Sequence, residues 1–386
     1  METWSTHHLF QEISGRLGNT TAASAQRYAN QLHTQGLPVI FSLMHLSKIT
    51  GLDYVFLHES VNRKRDSENY RIFAIGKRSG GRRFIHAASR KMLLLLKFIN
   101  GDILQKIAPL PASFAFHSSG GIRECAAIHC GCKWLFKFDL RNFFYTISES
   151  DVYSVFAKIG YKPLLSFELA RLCTTTFLPK KMRYYVRYNN SFSPLYKLTD
   201  QDDKNYPYDL QPELGVLPQG GPASPMLSNL VARKLDEALF DYAQNNGLVY
   251  SRYADDIALS ASTLPKGKSI AQIRREIIFL IRKNGFCDNA KKFHVAGPGA
   301  RKLILGLLVD GETPRLSKPL RKRIDRHIYS IEKFGLGAAA AHDGFESAYG
   351  YFNHVSGIMS FVHDVDKDLW DNLDKKFSAI KESLKI

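Results

Sequence analysis

The spacing of apolar positions divides the chain into helical and extended segments. Apolar residues recur every three or four positions over 20–34, 39–49, 89–105, 151–160, 165–177, 225–245 and 269–284, which predicts helices there. Short apolar runs predict single strands at 134–140 and 303–309, and hairpins at 70–86 and 248–261. Three more helices are predicted at 318–334, 345–361 and 367–384. Strands mixed with helices, followed by a helical tail, indicate an α+β unit joined to an all-α unit.

Two segments carry most of the positive charge. The 386 residues include 53 Lys and Arg against 36 Asp and Glu, for a formal net charge of +17. The excess is concentrated at 62–97 and 291–333, on either side of a middle region that holds the carboxylate motifs. A strong basic excess predicts a polyanionic partner, either nucleic acid or an anionic membrane surface. Basic flanks around a carboxylate centre favour nucleic acid, although either flank alone is more simply interpreted as a solvated face.

The remaining composition predicts a globular protein of the cytoplasm. Apolar residues make up 45% of the chain, which excludes a disordered protein. The most apolar run, Met92 to Ile99, is short and contains Lys97, so we expect no transmembrane helix and no membrane partner. The first 14 residues lack the basic start and apolar block of a signal peptide. Five Cys residues are too few for a disulfide framework and indicate a reducing compartment.

The strongest candidate for chemistry is the adjacent pair Asp255 and Asp256, which follows Tyr253 and Ala254. Apolar neighbours on both sides predict a buried hairpin, where two adjacent carboxylates repel each other unless a divalent cation or water screens them. The other such pair, at 202–203, lies in a polar stretch, and a solvated loop explains it.

A third carboxylate, Asp139, ends the predicted strand at 134–140. An isolated buried Asp is costly in free energy, so we expect Asp139 to join Asp255 and Asp256 if the two strands are neighbours. The acids would then surround one or two Mg²⁺ ions, two in the complete site, with Mn²⁺ as an alternative and with Leu140 included among the ligands. Such ions activate an attacking hydroxyl and stabilise leaving pyrophosphate in an in-line displacement.

Three further motifs suit a nucleotide. Gln219 and Gly220 lie in a Pro/Gly turn that opens a helix, where the backbone can approach an anion closely. Lys77 and Arg83 flank a Gly bend and suit a triphosphate. The pair Lys291-Lys292 could protonate a leaving pyrophosphate. Each motif also has a plainer interpretation, namely a helix start signal, an exposed basic turn and a surface lysine pair.

These motifs, in this order and spacing, resemble those of reverse transcriptases. The basic hairpin is similar to the fingers element over the triphosphate, the Asp139 strand to motif A, the Gln219 turn to motif B, the Tyr253–Asp256 turn to motif C, and the lysine pair to motif D. The resemblance implies a right-handed fingers-palm-thumb polymerase fold with a ferredoxin-like palm and a helical thumb. It also implies RNA-templated synthesis of DNA from dNTPs. By position, Phe144 would be the steric gate that excludes ribonucleotides.

The same resemblance divides the chain into four parts. We expect an N-terminal helical extension at 1–35, fingers at 36–130, a palm at 131–300 with an insertion at 179–212, and a thumb at 301–386. The segment 301–306 stands where the family has its last palm strand before the thumb.

Within that family the chain looks most like the retron reverse transcriptases of bacteria. The segments that carry this likeness are 36–39, 46–48, 113–117 and 296–298. Two family elements are altered here. Cys125 replaces the Asn of an Asn-Ala-x-x-His element that keeps Ala126 and His129, and the segment 304–306 keeps only the Gly of a Val-Thr-Gly element. The insertion at 179–212 also lengthens the usual link to motif B.

The retron resemblance implies specific partners. A cognate noncoding RNA would be both template and primer, and synthesis from a 2′-OH of an internal guanosine would yield a branched RNA–DNA molecule. Anti-phage defence with a separate effector protein is also implied, while the oligomeric state stays open. We expect the RNA to be held by shape and phosphate on the basic thumb helix, unless that helix is only a solvated basic face. The residues concerned are Arg321, Lys322, Arg323 and Arg326.

Several alternatives stay open at this point. Another bacterial defence reverse transcriptase would carry the same motifs. An RNA-templated RNA polymerase would be favoured by a small or polar residue at position 144, and a non-catalytic RNA binder on a relic palm would have no reason to keep three acids. Zinc binding is disfavoured, because the spacing of the candidate ligands matches no common zinc finger. Those candidates are Cys125, His129, Cys130 and Cys132.

Overall fold

The computed structural model describes residues 5–76, 81–179, 182 and 214–384. Lys77, which the sequence places near the nucleotide, lies outside the described residues, as does nearly all of the predicted insertion at 179–212. Within the described ranges, no helix has both the length and the apolar character needed to cross a membrane.

The N-terminal part is helical and ends in a hairpin. Its helices are α1 (Thr6–Leu17), α2 (Asn19–Thr34), α3 (Leu43–Thr50), α4 (Tyr54–Val61) and α5 (Asp66–Asn69). Helix α3 begins later than the periodicity predicts, because the Ser42 side chain accepts the His45 N–H and caps the helix there. The predicted hairpin is confirmed as β1 (Tyr70–Gly76) and β2 (Arg82–Ala88), which pair antiparallel.

Two helical segments connect this hairpin to the rest of the chain. Helix α6 (Arg90–Phe98) is shorter than the predicted 89–105 helix, because the chain continues from it as a π turn at Ile99–Ile103 and a 3-10 turn at Leu104–Lys106. Helix α7 (Ile122–Ala127) then leads to the central sheet.

Among the described residues, the central sheet has four strands. They are β3 (Trp134–Asp139), β4 (Val249–Tyr253), β5 (Asp256–Ala261) and β6 (His294–Ala296), in the spatial order β4-β5-β3-β6. All neighbouring strands pair antiparallel, so the predicted strand at 134–140 and the predicted hairpin at 248–261 are confirmed. Helices lie between β3 and β4 and between β5 and β6, so this unit runs β-α-β-β-α-β along the chain.

The helices of this unit largely follow the periodicity. The described residues between β3 and β4 include α8 (Phe143–Thr146), α9 (Glu149–Ile159), α10 (Pro163–Cys173), α11 (Ser224–Val231) and α12 (Arg233–Asn245), and α13 (Ile270–Lys283) follows β5. The single helix predicted over 225–245 is wrong. The chain breaks between α11 and α12 at Ala232, whose ψ of −2° departs from the α-helical value.

The C-terminal part begins with a small sheet. The single strand predicted at 303–309 is wrong, because Leu305 and Gly306 have φ of 50° and 89° and reverse the chain direction. The result is a hairpin of β7 (Leu303–Ile304) and β8 (Leu307–Leu308), to which β9 (Arg315–Leu316) is added. The predicted helices are confirmed as α14 (Lys318–His342), α15 (Ala348–Val365) and α16 (Lys367–Leu384), and α14 extends beyond its predicted end with a kink at Gly335.

Apolar side chains cover the central sheet on both faces. Phe136 and Phe138 of β3 point into a core shared with α9, α11, α12 and α13. Leu135 and the β5 residue Ala258 point into a second core with α7 and the C-terminal helices. Burial on both faces explains why β3 is a nearly continuous apolar run. We call the second side, on which Asp139 and Asp256 fall by strand alternation, the carboxylate face.

Candidate active site

Three carboxylates meet at one end of the carboxylate face. Asp139 ends β3, Asp256 begins β5, and the two residues are directly opposite in the antiparallel register. Directly opposed residues carry their side chains on the same side, with Cβ atoms about 4.5–5.5 Å apart. Asp255 is held at the same place, because its main-chain carbonyl accepts the Leu140 N–H at 2.8 Å. The structure therefore brings together the three acids that the sequence singled out.

The proximity of these acids changes their acidity. Burial, followed by the charges of Asp255 and Asp139, raises the pKa of Asp256 to about 6. Burial and the Asp139 charge likewise raise the pKa of Asp255, while Lys292 and Arg83 act in the opposite direction. The negative charge of the site is thus only partly neutralised by the chain itself, and a bound cation would relieve the remainder.

Asp139 has a partner for each carboxylate oxygen. The Asn289 side-chain amide donates to Oδ1 at 3.0 Å, and the Lys292 ammonium contacts Oδ2. The main-chain N–H of Asn289 also donates to the Asp139 carbonyl at 2.8 Å. Burial lowers the pKa of Lys292, but its hydrogen bond to Asp139 outweighs this and raises it overall. The predicted lysine pair is therefore split, with Lys292 on the carboxylates and Lys291 exposed beside them.

The donor atoms of this site fit a hard divalent cation. Carboxylate oxygens are the ligands that Mg²⁺ and Mn²⁺ prefer. In this structure the Lys292 ammonium supplies the positive charge beside Asp139. In the part of the chain that the structure describes, no three His, Cys, Asp or Glu side chains are pre-arranged as a metal centre. Asn289 and Lys292 occupy the Asp139 oxygens in this arrangement, so a metal would have to displace the lysine.

Three of the predicted nucleotide residues, Arg83, Gln219 and Gly220, lie on two elements that touch. The Gln219 carbonyl accepts the His86 N–H of β2 at 2.8 Å, so the turn that contains Gly220 lies against the hairpin that carries Arg83. Gly220 has a φ of 116°, and a Cβ at this position would be 2.9 Å from the His86 carbonyl oxygen. Close backbone contact with β2 is therefore the reason for glycine here. Arg83 is exposed, and its charge lowers the pKa of Asp255.

Phe144 is half-buried in an aromatic group that the sequence did not predict. Its ring centroid lies 5.7 Å from that of Phe143 and 6.5 Å from that of Phe116. The Phe116 ring is also 6.5 Å from the Tyr253 ring. Phe116 has a φ of 70° and comes from a distant part of the sequence, so only the folded chain brings it beside motifs A and C.

Comparison with known proteins agrees with this geometry. Residues 75–307 match the family described as reverse transcriptase (RNA-dependent DNA polymerase). The chain belongs to the reverse transcriptase family. It is 28% identical to the retron Ec86 reverse transcriptase of Escherichia coli, over 87% of this chain and 88% of that one. It is 25% identical to the retron Mx65 reverse transcriptase of Myxococcus xanthus, over 90% of this chain and 73% of that one.

These relatives confirm the prediction of a retron-type reverse transcriptase, an RNA-directed DNA polymerase. The mixed helix and sheet architecture fits the polymerase fold of fingers, palm and thumb. A solved telomerase from Candida albicans, in complex with a fragment of telomeric RNA, aligns with 13% identity and a TM-score of 0.36, over 81% of this chain and 56% of that one.

In this reverse transcriptase two of the four residues considered for zinc, Cys125 and His129, form hydrogen bonds to residues of β4 and β5. His129 is buried and pairs through Nδ1 with the Ser260 hydroxyl and through Nε2 with the Ser251 hydroxyl, both at 2.7 Å. Cys125 donates to the same Ser251 oxygen at 3.4 Å. Burial lowers the pKa of His129 to about 4, so the ring is neutral near pH 7. Both ring nitrogens thus form hydrogen bonds that join β4 to β5, the two strands connected by the Tyr253–Asp256 turn.

The basic residues of α14 that the sequence predicts to bind RNA do not share one surface. Consecutive residues of a helix point about 100° apart. Arg321 donates to Asp366 at 2.7 Å, and Arg323 donates to the His354 ring of α15 at 2.9 Å. Both arginines therefore join the C-terminal helices to one another. Lys322 and Arg326 instead line a cavity of about 530 Å³ together with residues of α16.

Replacing Gly220 with alanine tests the contact between its turn and β2. We expect G220A to destabilise the protein by about 2–4 kcal/mol, because backbone strain adds to a steric clash with His86. We also expect a higher KM for dNTP, since the clash separates the turn from the Arg83 hairpin. Thermal unfolding and primer-extension kinetics measure the two effects.

The matched control is G267A. Gly267 has a φ of 73° but open space around it, so alanine there brings strain of about 1–2 kcal/mol without a clash. If both variants behave alike, backbone strain alone explains Gly220 and the contact with His86 is unimportant.

The raised pKa of Asp256 predicts that cation binding depends on pH. Because its folded-state pKa of about 6 is above the ordinary range, ionised Asp256 disfavours the folded state. This cost is present above about pH 6 and disappears as the pH falls and the side chain is protonated. Added Mg²⁺ should therefore raise the melting temperature more at pH 7.5 than at pH 5. D256N should lose most of this difference, and an equal Mg²⁺ effect at both pH values in the unmodified protein would contradict the prediction.

Proposed function

We propose that this reverse transcriptase copies a cognate structured noncoding RNA into single-stranded DNA that stays linked to the RNA. The observation that carries the proposal is the meeting of Asp139, Asp255 and Asp256 at one end of the sheet. We assign these three as the catalytic residues. They would lie on a ferredoxin-like palm at 131–300, between fingers at 36–130 and a helical thumb at 301–386, with a helical extension at 1–35.

The proposed metal ligands are Asp139, Asp255, Asp256 and Leu140. Leu140 would contribute its main-chain carbonyl, because its side chain is aliphatic and buried. When bound there, two Mg²⁺ ions, or Mn²⁺ in their place, activate the attacking hydroxyl and stabilise the leaving pyrophosphate. Asn289 orients Asp139 through two hydrogen bonds, and the β3–β5 register sets the separation of Asp139 from Asp256.

Cationic residues on both sides of the acids suit the triphosphate. We assign Arg83 to the phosphates because it is exposed on β2 and its charge acts on Asp255. Lys77 belongs to this assignment by its sequence position alone. Gln219 and Gly220 approach the same hairpin from the palm, where they suit the nucleotide base and sugar.

The lysine pair suits the leaving group. Lys292 holds a proton at Nζ, because Asp139 raises its pKa, and it lies beside all three carboxylates. We assign it to donate that proton to departing pyrophosphate. Lys291, exposed next to it, adds positive charge where the product phosphates leave.

The thumb suits an RNA duplex recognised by shape and phosphate. Of its four predicted RNA-binding residues, Lys322 and Arg326 line a common cavity, which Asp325 and Glu332 also line, and we assign these two cations to the phosphates. Arg321 and Arg323 would act by fixing the helices that present them, in addition to any contact of their own. A separate effector protein and a role in anti-phage defence complete the proposal.

The proposal is tested by the nucleic acid that copurifies with the protein. From a cell that supplies the cognate RNA, we expect DNA joined to RNA through a 2′-linked branch, seen by sequencing before and after debranching. The double variant D255N/D256N should bind the same RNA but carry no DNA. Unbranched DNA in the unmodified protein would argue against the retron product, and DNA made by the double variant would mean that the acids are misassigned.

Phe144 tests the proposed gate. A smaller side chain leaves room for a 2′-OH, so F144A should raise incorporation of rNTP relative to dNTP by tenfold or more, on the order of the 1–3 kcal/mol that a lost steric contact provides. Primer extension with each nucleotide measures the ratio. The control F143A removes a neighbouring aromatic ring and keeps the proposed gate residue. An unchanged ratio of rNTP to dNTP incorporation in F144A would show that Phe144 is not the gate.

A further inference from the structure

Arg252, the residue before the Tyr253–Asp256 turn, is a fully buried cation. Its side chain is 0% exposed and forms a two-point salt bridge with Asp236 of α12, with both N–O distances 2.6 Å. A guanidinium is rarely buried unless every donor is used, because its desolvation must be offset by hydrogen bonds. The partners of its remaining donors therefore indicate what the residue is for.

The remaining donors join three separate segments of the chain. Nη1 donates to the Asn229 side-chain oxygen of α11 at 3.1 Å and to the Ala254 carbonyl at 3.0 Å. Nη2 also donates to the Ser113 hydroxyl at 3.1 Å, and Ser113 forms a parallel bridge with the Arg252 backbone. The salt bridge with Asp236 fixes the plane of the guanidinium, and Asn229 fixes the direction in which Nη1 points. Arg252 thus joins two helices to the turn that carries Asp255.

The turn requires such support because of its sequence. Tyr253 pairs with Asp256, which leaves Ala254 and Asp255 as a two-residue hairpin loop. Ala254 has a φ of 55°, a region in which hairpins of this length strongly prefer glycine. Alanine is strained there, so the surrounding structure must hold the conformation. The hydrogen bond from Arg252 to the Ala254 carbonyl acts on the strained peptide itself.

We propose that Arg252 is a positioning residue that holds the Ala254-Asp255 turn in its metal-binding conformation. It touches no reacting atom. Asp236 and Asn229 orient its guanidinium, and the guanidinium in turn fixes the peptide from which Asp255 projects toward Asp139 and Asp256. This inference rests on the proposed metal site. It predicts that weakening the contact lowers cation affinity and turnover without weakening RNA binding.

The test is R252K, studied in the full chain. Lysine keeps the positive charge opposite Asp236, but one ammonium cannot also reach Asn229 and Ala254 with fixed geometry. We expect the Kd for Mn²⁺, measured by electron paramagnetic resonance without nucleotide, to rise about tenfold or more. We expect kcat to fall by about 10–100-fold, while KM for dNTP and affinity for RNA change little.

Two further variants separate positioning from stability. R63K weakens another buried pair, between Arg63 and Glu149, that lies away from the turn. It should lower the melting temperature as R252K does, while Mn²⁺ affinity stays unchanged. In an A254G background, R252K should raise the Mn²⁺ Kd less than in the unmodified chain, because glycine adopts a positive φ without strain.

The outcomes distinguish this inference from the proposed function. If the unmodified protein binds no Mn²⁺, or if D256N binds it equally well, the metal site itself is wrong. If the unmodified protein binds Mn²⁺ and R252K matches it in affinity and turnover while melting lower, Arg252 is only structural and the inference is overturned. Should R252K fail to fold, N229A removes the partner that directs Nη1 and should raise the Mn²⁺ Kd in the same direction. An unchanged Kd in N229A also overturns the inference.

Discussion

Repulsion among three neighbouring carboxylates is the interaction that the architecture of this reverse transcriptase must withstand. Two of the acids are opposed across β3 and β5, and the third belongs to the turn between β4 and β5. Burial strengthens the repulsion, as the raised pKa of Asp255 and Asp256 indicates. Antiparallel pairing, apolar cores on both sides of the sheet and the Lys292 ammonium together keep the acids in place. The negative charge that remains unneutralised attracts cations to this end of the sheet.

The strands beneath this turn are held from both faces by buried polar groups. On one face Arg252 joins the turn to α11 and α12, and on the other His129 joins Ser251 to Ser260. Apolar packing is non-directional, whereas hydrogen bonds fix orientation as well as distance. A two-residue turn with a strained alanine therefore depends on such contacts more than the rest of the sheet does.

The hairpin of β1 and β2 is also fixed to the chain between β3 and β4 by buried polar contacts. Arg63, which precedes the hairpin, is paired with Glu149 of α9, and Asp66 accepts the Thr176 N–H at 2.8 Å. The hydrogen bond between His86 and Gln219 joins β2 to the turn before α11. Specific contacts consequently set the position of the hairpin that carries Arg83.

The sequence determined the elements and the identity of the acids. Apolar periodicity reports which side of a segment is buried, so most helices, both long hairpins and the β3 strand could be predicted from neighbouring residues alone. Acids among apolar neighbours are conspicuous for the same reason, and this pattern distinguished Asp139, Asp255 and Asp256 from the pair at 202–203.

Tertiary structure decided which groups meet. Periodicity does not name the partner of a buried side chain, and the partners here are distant: His129 and Ser251 are 122 residues apart, and Asn289 and Asp139 are 150 apart. The supporting residues Phe116, Arg252 and Asn289 were therefore not predicted as part of the site. Backbone torsions at Ala232 and Leu305 broke elements that periodicity had joined. On α14, the identity of a basic residue came from the sequence, but whether it faces a cavity or a neighbouring helix depends on how three helices pack.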